Sequence, residues 1–437
     1  MLTLQERFTR HLKRLTDLDA IAVDGKVKKI TGVVIEATGR QGSVGDVCEI
    51  FTRQNKTIKA EIVGFKDDII LLMPLGETLG VATGSRVKRS ALPLKVPVGD
   101  ALLGRILDGL GKPMDGKGPI VTKQFRQVFN YPPNPLKRKR IAKPLATGIR
   151  AIDGLITLGK GQRVGIFAGS GVGKSVLLGM MARYTNAHVN VIALIGERGR
   201  EVREFIERDL GEEGLKRSVV VVATSDQAAT VRIKASLIAT TIAEYFRDRG
   251  LDVLLLMDSL TRVAMAQREI GLAIGEPPTT KGYTPSVFAL MPRLLERAGN
   301  AETGSITGLY TVLVEGGDLD EPVSDTARSI LDGHIVLSRR IATRGHFPAI
   351  DVLESVSRLR NEVIKPEHKE LINRILEIMA IYRESEDLIN IGAYKKGTNP
   401  KLDEAIEKIE AINQFLKQNV NESSTFEQTI EEMKQLV

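Results

Sequence analysis

The sequence predicts an α/β fold, a mostly parallel sheet covered by helices, with a small β-barrel before it and a helical domain after it. Three observations carry this. Between residues 145 and 360 apolar strands alternate with helical patterns, and runs such as Val253-Leu254-Leu255-Leu256-Met257 are apolar without a break, as in strands buried on both faces. Between 25 and 92, short β-rich segments recur at regular intervals between Gly and polar turns. Beyond Pro366 the pattern is helical. The chain of 437 residues is too long for one core, and the pattern divides it as 1–18, 19–92, 93–145, 146–365 and 366–437.

The first segment places Leu2, Leu4, Phe8, Leu12, Leu15 and Leu18 at mostly three- and four-residue spacings, with Arg7, Arg10, Lys13 and Arg14 on the other faces. This is a basic amphipathic helix, suited to its own domain, a partner helix or an acidic lipid surface. The barrel segments are Ile30–Ala37, Asp46–Ile50, Ile58–Phe65 and Asp68–Met73. Residues 93–145 read as a linker rich in Gly and Pro, as in Gly104–Pro113 and Tyr131–Pro135. Its basic run Lys137–Arg140 suits a solvated linker, with nucleic acid or lipid as the other readings. Strands are expected at Arg163–Phe167, Val189–Ile195, Ser218–Ala223, Val253–Met257, Ser305–Val314 and His334–Leu337. The last helix carries a capping box at Ser424–Glu427.

Composition bounds the function. Hydrophobic residues make up 42% and charged residues 27%, ordinary for a globular protein. Cys48 stands alone, so no intrachain disulfide forms and a reducing compartment is expected. No apolar run approaches the roughly 18 residues of a membrane span. We therefore expect a soluble, cytoplasmic protein whose membrane contact is peripheral. The net charge of +8 is modest for this length, and the absence of Trp with 4% aromatics weighs against base-stacking platforms for single-stranded nucleic acid.

Residues 165–175 carry the clearest chemistry. The apolar strand Val164–Phe167 runs into Ala168-Gly169-Ser170-Gly171-Val172-Gly173-Lys174-Ser175, and a helical pattern leaves it. Glycines at these spacings let successive backbone N–H groups curl around one anion, and the helix N-terminus adds its dipole. Lys174 would reach the β- and γ-phosphates of a nucleotide, and the Ser175 hydroxyl would sit on Mg²⁺. Ala168 stands where the consensus has Gly. Asp258 ends the most apolar strand, where a carboxylate serves Mg²⁺. Glu197 follows another apolar strand and suits either a water-orienting base or a charged surface turn. Arg198 suits either γ-phosphate charge or a neighbouring acid. Arg358, by itself, reads as a surface arginine, and Phe347 suits either a base or the core.

Several longer runs resemble the catalytic ATPases of bacterial export systems and of rotary ATP synthases, over nearly the whole chain. They are Asp108–Gly116, Thr147–Gly154, Gly161–Gly165, the phosphate loop, Gly196-Glu197-Arg198 and Asp258–Arg262. Within that superfamily, Phe167–Gly171, Glu276–Tyr283 and Leu294–Gly299 resemble the flagellar and type III secretion branch, which places Ala168 as a feature of the branch. The stretch Ile391–Pro400 is more similar to flagellar members than to virulence-system members. The resemblance implies a RecA-like P-loop ATPase core and Mg²⁺-dependent ATP hydrolysis. Glu197 then polarises the attacking water, Arg198 senses the γ-phosphate, and Lys174, Ser175 and Asp258 serve phosphate and metal. Arg358 matches an arginine finger reaching the neighbouring subunit's site, and Phe347 the aromatic against adenine. It further implies a homohexamer, a coiled-coil central stalk in its pore, and a peripheral-stalk-like regulator on the N-terminal helix. An export gate, chaperone–substrate complexes and a station at the inner face of the bacterial membrane follow, with no nucleic acid. A virulence export ATPase is the alternative and a hexameric RNA translocase a further one; a non-catalytic ring subunit would lack Glu197.

Overall fold

A computed structural model describes residues 25–39, 42–54, 56–89, 94–314 and 320–437. The amphipathic helix expected over 2–18 lies outside the described residues. The chain forms two units, 1–94 and 95–437.

In the first unit six strands close a barrel in the order β1-β2-β5-β4-β3-β6: β1 (Gly25–Thr31), β2 (Val34–Thr38), β3 (Val47–Phe51), β4 (Thr57–Lys66), β5 (Ile69–Pro74) and β6 (Arg86–Arg89). Period-two alternation sends Val27, Ile35, Cys48, Ile50, Ile62, Leu72 and Val87 into its core. Burial pushes the Cys48 thiol up to about 11, so it packs as a small apolar group.

The second unit is built on a nine-stranded sheet. Its strands are β8 (Arg105–Asp108), β12 (Arg163–Ala168), β13 (Val189–Ile195), β14 (Ser218–Ala223), β15 (Asp252–Asp258), β16 (Gly299–Asn300), β17 (Ser305–Leu313), β18 (Gly333–Leu337) and β19 (Ile350–Ser357). Along the sheet the order is β19-β18-β12-β17-β15-β13-β14-β8, with β16 beside β17. The strands from β18 to β8 run parallel, and β19 and β16 are antiparallel. All residues of β13 and β14 are buried, as the apolar runs Val191–Ile195 and Val219–Ala223 require, and the two polar residues at their starts meet through Asn190 Nδ2 donating to Ser218 Oγ. Two short ribbons accompany it, β7 (Lys95–Val98) on β9 (Gln124–Gln127) and β10 (Pro144–Leu145) on β11 (Leu158–Gly159).

Two strands correct the sequence reading. The stretch expected as linker contributes β8, which extends the sheet beyond β14. Its glycines are punctuation of a packed turn: a side chain on Gly109 would collide with Val231, 2.6 Å away, and the Asp108 carboxylate accepts from the N–H groups of Leu110 and Lys112. The second is β19, which is not among the strands expected from sequence. Its polar residues, Asp351, Glu354 and Ser355, broke the apolar pattern because it is an edge strand.

The helices that matter below are α1 (Lys174–Tyr184), α2 (Gly199–Glu204), α3 (Ala229–Asp248), α4 (Leu260–Ala273), α5 (Pro285–Leu295), α6 (Pro322–Ile330), α7 (Arg339–Thr343), α8 (Pro366–Asn390), α9 (Pro400–Leu416) and α10 (Phe426–Lys434). Ile372, Ile375, Leu402, Phe415 and Met433 of α8, α9 and α10 share one core with β12 and α1. The capping box of α10 sits one residue further on than expected, at Thr425 and Gln428. Ser424 is buried instead and hydrogen-bonds Thr429. Among the described residues no helix is long and apolar enough to cross a membrane.

Candidate active site

The site lies where β12, β15 and β13 end side by side, with only β17 between β12 and β15. A parallel sheet delivers all these carboxyl ends, and the loops after them, to one edge. Ala168 is the last residue of β12; its methyl is buried in the core and its carbonyl accepts from the Val314 N–H, so the cradle proper begins at Gly169. Gly173 has the left-handed conformation at φ 84° and caps α1, whose first residue is Lys174.

Three predicted residues converge. The Lys174 ammonium lies 2.5 Å from Asp258 Oδ1 and 3.4 Å from Glu197 Oε1. Thr311 of β17 donates to the same Asp258 oxygen at 2.6 Å, a contact that nothing in the sequence pattern marked. Burial alone would depress the Lys174 ammonium, but Asp258 and Glu197 hold it above its ordinary value. Burial and the charge of Asp258 push the Glu197 carboxyl up to about 7 against the pull of Lys174, with a hydrogen bond to Glu201 adding to the rise. Glu197 is therefore poised to exchange a proton near neutrality.

The remaining predicted residues are placed differently. Arg198 turns outward, 79% exposed, and pairs with Glu201 at 3.1 Å. Arg358 follows β19 and is exposed, donating to the Arg328 carbonyl. Register puts Ile350 opposite Leu337, and Leu337 opposite Ala168, so β19 starts at the site. Its register then slips against β18, Val336 lying opposite Asp351 but His334 opposite Val356, so that Ser357 meets Gly333 and the Arg358 N–H reaches the Asp332 carbonyl; this carries Arg358 roughly 16 Å to the opposite edge of the sheet at ~3.3 Å per residue. Arg358 cannot reach the phosphate loop of its own chain.

Phe347 stands just before β19, its ring 3.5 Å from where a Gly173 side chain would begin. With Gly173, Val176, Leu177 and Gln418 it lines a cavity of about 680 Å³, ample for a nucleotide base. The Phe347 carbonyl accepts from the Gln418 N–H at 2.9 Å, which ties this wall to the segment after α9. Arg262 was also missed. Its stem covers Gly196, where any side chain would collide with it at 2.8 Å, and its buried Nε has no partner among the described residues. Its place in the Asp258–Arg262 run was the only signal in the sequence.

The oxygen donors fit Mg²⁺, a hard cation that takes hydroxyl, carboxylate and phosphate oxygens. A lysine ammonium already rests on Asp258, so the carboxylate faces positive charge in this structure. Ser175 and Asp258 are the residues that would hold the metal, with nucleotide phosphates completing its shell.

Comparison with known proteins gives a consistent pattern. The family model "ATP synthase alpha/beta family, nucleotide-binding domain" matches residues 148–357, its beta-barrel domain matches 27–91, and "T3SS EscN ATPase C-terminal domain" matches 364–435. The flagellum-specific ATP synthase of Bacillus subtilis is 56% identical over 414 residues, 93% of either chain. The type 3 secretion system ATPase of Xanthomonas euvesicatoria is 53% identical over 408 residues, 93% of this chain and 92% of that one. Among solved structures, the assembled ATPase EscN of the enteropathogenic E. coli type III secretion system superposes with a TM-score of 0.89 at 44% identity, covering 94% of this chain and 99% of that one. EscN in complex with its central stalk EscO gives 0.87 at 45% identity, with the same coverage.

Proposed function

The chain belongs to the ATP synthase alpha/beta family, and from that membership we propose that it is an ATP hydrolase that energises type III protein export for flagellum assembly. The observation that carries the chemistry is the convergence of Lys174, Asp258 and Glu197 at the mouth of a phosphate loop. Glu197 orients a water molecule for in-line attack and draws on its proton; the bond from the γ-phosphorus to the bridging oxygen breaks as the new bond to water oxygen forms. Lys174 neutralises charge on the transferred group, and Arg198 swings from Glu201 to join it. Ser175 and Asp258 would hold Mg²⁺, which would supply charge neutralisation to the nucleotide phosphates. Phe347 packs against the adenine.

Arg358 completes the site of the next subunit. Its distance from its own phosphate loop supports action in trans, and hence a homohexameric ring, as does the assembled state of EscN. The EscN–EscO complex supports a coiled-coil central stalk for this chain too. A peripheral-stalk-like regulator on the N-terminal helix, the export gate, chaperone–substrate complexes and a peripheral place at the inner face of the cell membrane rest on the resemblance alone. A second reading, the ATPase of a virulence type III secretion system, is favoured by the match of residues 364–435 to the EscN C-terminal domain.

Measured ATP turnover tests the enzyme reading. Glu197→Gln should abolish hydrolysis and retain nucleotide binding, and a fully active Glu197→Gln overturns the assignment. Co-purification from the native cell separates the two systems, through flagellar or injectisome stalk and chaperone partners.

A further inference from the structure

Helix α7 holds one more set of charges. It is a single turn, Arg339–Thr343, that follows β18 at the sheet edge where the phosphate loop sits. Its first residue, Arg339, reaches that loop: Nη2 lies 3.3 Å from the Ser170 carbonyl oxygen and 3.2 Å from Ser170 Oγ. Its other contacts go the opposite way. Arg340 Nη2 donates to Glu386 Oε2 at 2.9 Å, and Arg344, just past the helix, donates to Glu386 Oε1 at 2.6 Å. Glu386 lies in the last turns of α8 and its side chain is only 13% exposed, although both arginines are more than half exposed. One turn earlier, Arg383 of α8 pairs with Asp351 of β19 at 2.6 Å.

Both oxygens of one largely buried carboxylate are thus claimed by arginines inside and just past a five-residue helix, and that helix begins with the residue holding Ser170. A helix this short has no room to bend, so a shift of α8 carries α7, and with it Arg339. We propose that Arg339 is a positioning residue for the phosphate loop, and that Glu386 sets its position through α7, coupling loop geometry to the C-terminal helices. The proposal rests on the ATPase reading for its physiological meaning, but not for its physical test.

The test is a double-mutant cycle on residues that do not touch each other. Arg339→Ala and Glu386→Gln are compared with their combination, reading KM for ATP, kcat, binding of a fluorescent ATP analogue, and the urea midpoint. Each single variant should raise KM, and the analogue's Kd, by about two- to fivefold, the worth of an exposed charged contact. The double variant should be no worse than the poorer single, because both break one chain of contacts. Arg339→Lys should recover part of the loss. A purely structural role for Glu386 would lower the urea midpoint and the active fraction while leaving KM alone, and that result overturns the proposal. Fold-changes that multiply in the double variant, or single variants with unchanged KM and Kd, overturn it as well. Should Glu386→Gln fail to fold, the exposed side of the same contacts, Arg340→Gln with Arg344→Gln, replaces it in the cycle. A wild-type chain that binds the analogue but does not hydrolyse ATP sinks the enzyme reading, while the binding cycle still decides the coupling.

Discussion

Two inactive variants should restore each other, and the sheet register says by how much. β19 carries Arg358 roughly 16 Å from the edge where Lys174 sits, so on the proposed reading each site combines the phosphate loop of one chain with the arginine of the next. Lys174→Ala removes the loop's charge, and Arg358→Ala removes the finger, which costs about 10³-fold or more in rate in phosphoryl transfer. In a ring assembled from equal amounts of the two, a site works when its loop comes from the Arg358→Ala chain and its arginine from the Lys174→Ala chain. Independent assortment makes that about one interface in four, since neighbours in a closed ring are drawn at random. Phosphate release, measured after the mixed chains are unfolded together and reassembled, should therefore recover to about a quarter of wild type, far above either variant alone. The double variant carrying both changes, mixed with wild type, serves as the dilution control. Activity of the mixture at the mean of the two single variants would refute action in trans and the geometry behind it.

Other outcomes follow from single contacts. On the proposed mechanism Glu197 orients water in its ionised form, and burial beside Asp258 pushes its carboxyl up to about 7, so kcat/KM for ATP should fall tenfold per unit below about pH 7 and level off above it. The sign is opposite for stability: a carboxyl raised in the folded state favours folding at low pH, and this contribution is lost as pH climbs from the ordinary 4.5 toward 7. Arg297 and Glu244 are both buried and joined by two hydrogen bonds at 2.9 and 2.8 Å, so Arg297→Met should cost about 3–5 kcal/mol in urea unfolding by stranding the carboxylate. Adding Glu244→Gln should recover most of that loss. Phe347→Ala should weaken binding of a fluorescent ATP analogue about tenfold through lost stacking, with Mg²⁺ dependence unchanged.

Much of the fold was legible because burial on both faces writes itself into a sequence. The largely apolar stretches Val189–Ile195 and Ser218–Ala223 match β13 and β14 to the residue, and the phosphate loop is local, with strand, glycines and helix in one continuous stretch. What stayed hidden depends on distant partners. β8 is four residues long with Arg105 and Asp108 at its ends, and only its neighbour β14 makes it a strand. β19 faces solvent on one edge, so its polar residues mimic a loop. Arg297 lies unremarked inside the run Leu294–Gly299, and its role needs Glu244 and the Val128 carbonyl, brought to it by α3 and by the stretch read as linker. The site divides the same way: Lys174, Asp258 and Glu197 each announce themselves at a strand end, whereas Thr311, Gln418 and Arg262 acquire meaning only once the strands lie side by side.

The position of β8 also has a consequence for synthesis. Residues 105–108 leave the ribosome well before their strand neighbour β14, which begins at Ser218. Until then the segment's backbone partners are those of its own turn, the Asp108 N–H on the Lys112 carbonyl and the Met114 N–H on the Ile106 carbonyl, and the edge that meets β14 stays open. Domains fold as units when the last required element emerges, and here the sheet's far edge closes more than a hundred residues late. A nascent chain halted between these points would display an open β-edge, the kind of surface that holding chaperones bind and that seeds aggregation.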